Sequence, residues 1–195
     1  MVCALPFGAS YPRLCETVAV RHEPRGQALL VTGAPGSGKT TIVKKVAAAL
    51  PDKRVRGFVT SELRQAGRRV GFELSTFAGD KSLLAHVDIN SRHRVGRYGV
   101  DVEALDEIIE EALSLDAAAD VYLVDEIGKM ECFSAKLCAA MRSLLDSGRP
   151  LVATVGLRGG GFIAQVKARK DVEIWTVTLA NRDDMPHQIV RCLEP

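Results

Sequence analysis

The chain has 195 residues, of which 47% are hydrophobic and 26% are charged, and 26 Lys and Arg residues against 24 Asp and Glu residues give a formal net charge of +2. This composition is that of an ordinary folded domain and excludes a largely disordered chain. The small net charge gives no support for a nucleic-acid or anionic-membrane partner, and no apolar run approaches the ~20 residues of a membrane-spanning helix.

Residues 1–26 differ from the rest because they contain three prolines, scattered charges and no helical or strand period. We interpret them as a non-catalytic N-terminal extension that precedes one domain at residues 27–195. Three arginines in this extension leave a targeting segment open as an alternative, although Glu16 and Glu23 count against it because transit peptides contain few acids.

The five cysteines are scattered, odd in number and without a C-x-x-C pair. This pattern predicts neither a disulfide framework nor a zinc site. It favours a reducing compartment, either the cytoplasm or an organellar matrix.

A phosphate-binding loop is predicted between a short apolar strand at residues 28–32 and a helix at residues 40–50. Residues 33–40 match the pattern G-x-x-x-x-G-K-[ST], and their place between a strand and a helix is the one that the pattern requires. An ordinary Gly-rich turn is the alternative that the full match disfavours. The residues predicted to bind the nucleotide here are Gly33, Ala34, Pro35, Gly36, Ser37, Gly38, Lys39, Thr40 and Thr41.

The physical basis of this loop is that a polyphosphate needs several backbone N–H groups directed at it at once, which a Gly-rich chain allows. The positive end of the following helix adds to the attraction. Lys39 is expected to reach the β- and γ-phosphates, with a catalytic role, and the Thr40 hydroxyl is expected to ligate Mg²⁺. Thr41 is a candidate for contact with the α-phosphate.

The next segments predict a strand at residues 55–60 and then a β-hairpin at residues 61–77. Every second residue from Val70 to Leu74 is apolar, and Ala66 and Gly67 supply a turn before them. Residues 79–93 are polar and irregular and are predicted to form a loop.

An acidic strand end is the second predicted part of the site. Asp101 is predicted to cap a helix with apolar residues at helical spacing, and residues 120–125 form the buried strand that follows. Asp125 at its end is expected to hold Mg²⁺. Glu126 is expected to take a proton from the attacking water, with a loop cap or a structural ion pair as its alternative.

The remaining pattern alternates helices and strands. Helices are predicted at residues 134–147, 161–169 and 184–193, and strands at residues 151–155 and 172–177. Strands that alternate with helices predict an α/β fold with a mostly parallel central sheet flanked by helices, to which the antiparallel β-hairpin is an addition.

Residues 125–131, Asp-Glu-Ile-Gly-Lys-Met-Glu, resemble the signature of the cancer-related nucleoside-triphosphatase family, first described in thermophiles. The similarity covers most of residues 27–192, with departures at Cys132, where leucine is expected, and in the loop at residues 156–161. Four further segments resemble the family in the same order, at residues 56–62, 64–72, 95–98 and 181–183.

The resemblance implies a P-loop NTPase of the RecA-like, catalytic-glutamate type. It implies a monomeric, Mg²⁺-dependent enzyme that slowly hydrolyses ATP, GTP and other nucleoside triphosphates with little base preference.

Weaker predictions concern basic groups near the phosphates, since cleavage builds negative charge on oxygen. Lys129, within the signature run, is predicted to touch phosphate or to orient Glu126, with a solvent-exposed or structural role as the alternative. Glu131 is expected either to orient Lys129 or to face solvent, and the sequence does not separate these two roles. Arg182, after the last strand, is predicted to stack on a nucleobase. The equally favoured alternative is that residues 181–183 only supply an Asn/Asp cap for the helix at residues 184–193. Three arginines are further candidates for the transition-state charge: Arg69, Arg97 and Arg158.

Three functions share such a phosphate-binding loop. Glu126 beside Asp125 favours water as the attacking group, and therefore Mg²⁺-dependent hydrolysis of nucleoside triphosphates. A nucleotide or small-molecule kinase is the alternative, because Arg64, Arg68 and Arg69 resemble an arginine-rich lid. A motor or switch acting on nucleic acid is disfavoured, since aromatic residues are only 5% of the chain and no basic stripe is present.

Overall fold

The computed structural model describes residues 28–194, so the predicted extension at residues 1–26 lies outside the described part. The strands in chain order are β1 (Ala28–Gly33), β2 (Val55–Gln65), β3 (Arg68–Thr76), β4 (Lys81–His86), β5 (Arg94–Val95), β6 (Tyr98–Val100), β7 (Val121–Ile127), β8 (Leu151–Gly156) and β9 (Val172–Val177). The helices are α1 (Lys39–Ala48), α2 (Val102–Ala112), α3 (Ala135–Asp146), α4 (Phe162–Lys167) and α5 (Met185–Leu193), with a 3₁₀ turn at Glu131–Phe133.

Within residues 28–194 the strands form one nine-stranded sheet in the order β5-β6-β4-β3-β2-β7-β8-β1-β9. The half from β2 to β9 is parallel, whereas β3, β4, β6 and β5 continue it with antiparallel pairing. The predicted α/β class with a parallel core is confirmed, but the antiparallel part is larger than one hairpin. β1, β8 and β7 are parallel neighbours, with β8 in the middle. The phosphate-binding loop and the acidic strand end therefore both lie at the carboxyl ends of these strands.

The predicted loop at residues 79–93 is wrong, because this segment contains β4. Leu84 and Ala85 are both buried, and the pairing with β3 shifts so that Leu83 opposes Glu73 whereas Ala85 opposes Phe72. The extra residue is a β-bulge, which breaks the alternation of apolar and polar residues by which strands are recognised.

The boundary predicted between a strand at residues 55–60 and a separate hairpin is also wrong. β2 is one strand that pairs in parallel with β7 from Val55 to Phe58 and in antiparallel with β3 from Phe58 to Gln65. The second half of β2 therefore continues past the carboxyl end of β7. The turn at Ala66 and Gly67 joins β2 to β3 as predicted.

Two apolar layers hold the helices against the sheet. Tyr122 and Val124 of β7 face the layer that α2, α3 and α4 complete, whereas Leu123 faces the layer of α1 and α5. This alternation is that of a strand covered on both faces. In α1 the predicted apolar stripe packs Ile42 and Val43, each at most 1% exposed, and burial of such a side chain contributes about 1.5–3 kcal/mol.

The two helices next to the acidic strand begin at side-chain caps. The carboxylate of Asp101 accepts from the Ala104 amide at 3.0 Å, which confirms the predicted cap of α2. Ser134 caps α3 by accepting from the Leu137 amide at 2.8 Å. Each cap satisfies a backbone donor that the first helical turn leaves without a partner. None of α1 to α5 has the length and apolar character needed to cross a membrane.

Candidate active site

The phosphate-binding loop connects β1 directly to α1. Gly36 and Gly38 have φ angles of 75° and 104°, a left-handed conformation in which only glycine avoids steric strain. No side chain caps the start of α1, and its first turn contains no acidic residue. The backbone N–H groups and positive end of α1 are therefore open to an anion. The buried Ser37 Oγ has no hydrogen-bond partner among the described residues.

Lys39 joins the loop to the acidic strand end. Its side chain is only 11% exposed, and Nζ lies 3.5 Å from Glu126 Oε2. The same Nζ donates to the Gly33 carbonyl at 3.3 Å. The structure thus brings together two of the three predicted catalytic residues.

Asp125 is buried beside Thr40. Its side chain accepts from the Thr154 hydroxyl at 2.7 Å through Oδ1, while the buried Oδ2 has no hydrogen-bond partner among residues 28–194. Burial raises the pKa of the Asp125 carboxyl, and the neighbouring hydroxyls of Thr40 and Thr154 oppose that rise. The Thr60 hydroxyl donates to the Asp125 carbonyl at 2.6 Å and so fixes the backbone.

These groups fit a divalent cation. An unpaired carboxylate oxygen beside a hydroxyl is the kind of oxygen-donor set that Mg²⁺ takes, with water and phosphate completing its shell. The described residues contain no group of three or more His, Cys, Asp or Glu that could hold a metal alone. The Thr40 and Asp125 pair therefore suits an ion that arrives with a phosphorylated ligand.

Glu126 is 33% exposed at its side chain and is reachable by water. While Oε2 faces Lys39, Oε1 lies 3.1 Å from the position that a Cβ on Gly128 would occupy and 3.7 Å from the equivalent position on Gly156. The carboxylate therefore lies at the solvent-accessible side of the site, between the phosphate-binding loop and the loop that follows β7.

Glu131 is 6% exposed, so it does not face solvent, and within residues 28–194 no hydrogen bond or ion pair joins its side chain to Lys129. Burial, together with the charges of Glu126 and Asp125, raises the pKa of its carboxyl to about 8. Sequence reasoning missed two residues of this region, Thr60 and Thr154, and left the role of Glu131 open. A threonine within the apolar run of β8 was the only local signal for Thr154.

The side chain of Lys129 is exposed and makes no hydrogen bond or ion pair with any residue from 28 to 194, so its catalytic role stays a prediction. The side chain of the candidate Arg158 is also exposed and also makes no hydrogen bond or ion pair with any residue from 28 to 194. Arg69 pairs with Glu62 at 2.7 Å and donates to the Tyr98 hydroxyl at 3.1 Å. It is therefore held within the antiparallel part of the sheet.

Arg182 lies against the phosphate-binding loop. Its Cδ is 3.8 Å from the position that a Cβ on Gly38 would occupy. Asn181 fixes the surrounding turn, since its Oδ1 accepts from the Thr178 amide at 2.8 Å and its Nδ2 donates to the Thr176 carbonyl at 3.0 Å. The N-cap residue of α5 is Asp184, and no side chain bonds there, so the helix-cap alternative is not supported.

Comparison with known proteins gives one family. The NTPase family model matches residues 28–190. Nucleoside-triphosphatase THEP1 of Thermotoga sp. (strain RQ2) is 37% identical over 169 residues, which span 85% of this chain and 95% of that protein. The cancer-related nucleoside-triphosphatase of Homo sapiens is 34% identical over 182 residues, which span 85% of this chain and 96% of that protein.

The fold has a matching solved structure. The crystal structure of THEP1 from the hyperthermophile Aquifex aeolicus is similar with a TM-score of 0.79 and 34% sequence identity. The match covers 86% of this chain and 99% of that chain. Sequence and structure therefore agree on one set of relatives across nearly their whole length.

Proposed function

The chain belongs to the NTPase family, as residues 125–131 predicted, and we propose that it hydrolyses nucleoside triphosphates to diphosphate and phosphate in a Mg²⁺-dependent reaction. The observation that carries this proposal is the place of Glu126. It is a partly exposed carboxylate, 3.5 Å from the ammonium group of the phosphate-binding loop. A water held by it would stand next to the terminal phosphate.

The triphosphate is held by the loop and the start of α1. The backbone N–H groups of Gly36 and residues 38–40 and the Lys39 ammonium group neutralise its oxygens, whereas the Ser37 N–H donates to the Ala34 carbonyl within the loop. Thr40 and Asp125 would hold Mg²⁺, which supplies charge neutralisation on the phosphate oxygens. Glu126 accepts a proton from water as the water oxygen bonds to the γ-phosphorus and the bond to the β-phosphate oxygen breaks.

Hydrolysis is preferred to transfer onto an organic acceptor. Arg69, one of three arginines that suggested a kinase lid, is paired with Glu62 and Tyr98, and Arg64 is paired with the same Glu62 at 2.6 Å. These pairs occupy two of the three guanidinium groups that a lid would offer to phosphate, whereas Arg68 is exposed and forms no side-chain hydrogen bond or ion pair with any residue from 28 to 194. Water next to Glu126 remains the best-supported nucleophile.

Low base specificity is proposed from the loop between β9 and α5. Arg182 offers a planar guanidinium group beside Gly38, and Leu179 is 74% exposed in the same loop. The Asn181 side chain, which could read a base edge, is already bonded to backbone at both of its polar atoms. Stacking on a guanidinium group or an apolar side chain accepts any base, because every base has a π-face.

The direct test measures free phosphate from purified full-length chain with Mg²⁺ and ATP, GTP, CTP or UTP, with and without nucleoside monophosphates. We expect phosphate release from all four without an acceptor. Strict dependence on an acceptor, with formation of a phosphorylated product, would establish the kinase instead. Release from one triphosphate alone would contradict the proposed base tolerance.

Replacing Arg182 with alanine tests the base contact. A cation–π contact at an exposed site contributes about 0.5–1 kcal/mol, so we expect KM to rise roughly two- to fivefold for all four triphosphates, with kcat nearly unchanged. Arg191→Ala, at the exposed far end of α5, is the matched control. A KM effect confined to one base, or none at all, would remove Arg182 from this role.

A further inference from the structure

A second carboxyl group, that of Glu131, approaches the same glycine as the Glu126 carboxylate. Glu131 Oε2 lies 2.6 Å from the position that a Cβ on Gly128 would occupy, and Glu126 Oε1 lies 3.1 Å from the same position. Both carboxyl groups therefore lie close to Gly128, in the loop after β7. A side chain at position 128 would collide with both of them.

The backbone around Glu131 is fixed from both sides. The Cys132 amide donates to the Gly128 carbonyl at 3.1 Å, and the Ser134 amide donates to the Glu131 carbonyl at 3.0 Å. Ser134 is fully buried and caps α3. Glu131 is therefore attached to the start of a core helix, whereas Glu126 lies at the open edge of the sheet.

The surroundings of Glu131 contain negative charge and no cationic partner. Asp125 and Glu126 of β7 face it, and no Lys, Arg or His from 28 to 194 forms an ion pair with it. Like charges and burial both disfavour a second carboxylate at this place. The other titratable groups of the elements packed on this turn have other partners: Asp106 of α2 bonds with Ser134, His93 contacts the Phe133 ring, and the thiols of Cys132 and Cys138 interact with each other. The charge of Glu131 also helps to raise the pKa of the Cys132 thiol.

We propose that Glu131 is a positioning residue for Glu126, a buried neutral carboxylic acid that fixes the orientation of the Glu126 carboxylate and leaves the negative charge on Glu126. The proposal rests on the hydrolytic function proposed above. Glu126 is then held at two points, by Lys39 at Oε2 and by Glu131 on the side of Oε1. A general base held in this way stays aligned with its water.

The proposal has a consequence at alkaline pH. The carboxyl of Glu131 has a pKa of about 8, so it is neutral below that pH and becomes charged above it. A charged Glu131 repels both Glu126 and the incoming triphosphate, so kcat/KM is expected to fall as the pH rises through about 8. A glutamine at this position keeps the shape of the acid and cannot ionise.

Two variants separate positioning from a purely structural role. Glu131→Asp withdraws the carboxyl by one methylene, and we expect kcat at pH 7 to fall by about tenfold or more, since small misplacements near the reacting atoms are costly. KM should change less than about threefold. Glu131→Gln should restore kcat at pH 7 to within about threefold of wild type and should remove the alkaline loss of kcat/KM.

The assay uses full-length chain, ATP and Mg²⁺ between pH 6 and pH 10, with thermal unfolding of each variant as the check on folding. If wild type releases phosphate but Glu131→Asp keeps its kcat, or Glu131→Gln keeps the alkaline loss, Glu131 only supports the turn and the proposal is overturned. If wild type releases no phosphate from any triphosphate, the proposed function fails first, and this inference fails with it.

Discussion

Replacing Glu126 with glutamine is expected to lower kcat by at least about 100-fold, the low end of the contribution of a general base. The amide keeps the size of the side chain but cannot accept the proton of the attacking water. Nucleotide affinity should stay within about threefold of wild type, because the phosphates are held by the loop and not by this carboxylate. Phosphate release and binding of a fluorescent triphosphate analogue measure the two quantities separately.

The matched control is Glu110→Gln, since Glu110 is an exposed glutamate of α2 with a side-chain exposure of 74%. It should leave both quantities unchanged. An unchanged kcat in Glu126→Gln would remove Glu126 from the chemistry and would require another group to activate water.

The second large effect is expected from Lys39→Ala. This change removes the ammonium group that lies between the Gly33 carbonyl and Glu126 and that is expected to contact the β- and γ-phosphates. The ammonium group binds the phosphates in the bound state and binds them more strongly as negative charge builds on their oxygens in the transition state, so affinity and kcat should both fall. We expect kcat/KM to decrease by about 100- to 1,000-fold, as for loss of one preorganised charge-stabilising donor.

Lys45→Ala is the control for this variant, because Lys45 is an exposed lysine in the last turn of the same helix. It changes the net charge by the same amount and should leave kcat/KM unchanged. Full activity in Lys39→Ala would contradict the assignment of residues 33–40 as the phosphate-binding loop.

Local patterns were enough to predict much of the parallel half of the sheet. Three of its strands, β1, β7 and β8, are mostly apolar runs that lead into polar or glycine residues, and α1 and α2 carry apolar residues at helical spacing. The bulged strand β4 was not predicted, because its buried residues Leu84 and Ala85 are adjacent in sequence. Two adjacent buried residues do not fit the alternation of apolar and polar residues that is expected of a strand. The order of the strands depends on pairing between distant segments, which a single chain pattern does not contain.

Some residues of the candidate site could likewise be predicted from local patterns, whereas others could not. Lys39, Asp125 and Glu126 belong to short motifs whose chemistry is local, and they could be predicted. Thr154 reaches Asp125 from β8, and Thr60 reaches its carbonyl from β2, so both contacts depend on the order of the sheet. Glu131 stood within the recognised signature, but its burial beside Glu126 follows only from the path of the loop around Gly128.

A crystal structure of the chain with a non-hydrolysable triphosphate analogue and Mg²⁺ tests the central claim most directly. It should show the β- and γ-phosphates bonded to the backbone N–H groups of Gly36 and residues 38–40 and to Lys39 Nζ. The metal should lie between Thr40 and Asp125, with a water held by Glu126 next to the γ-phosphorus. A triphosphate bound elsewhere, or a γ-phosphate out of reach of any water on Glu126, would contradict the account.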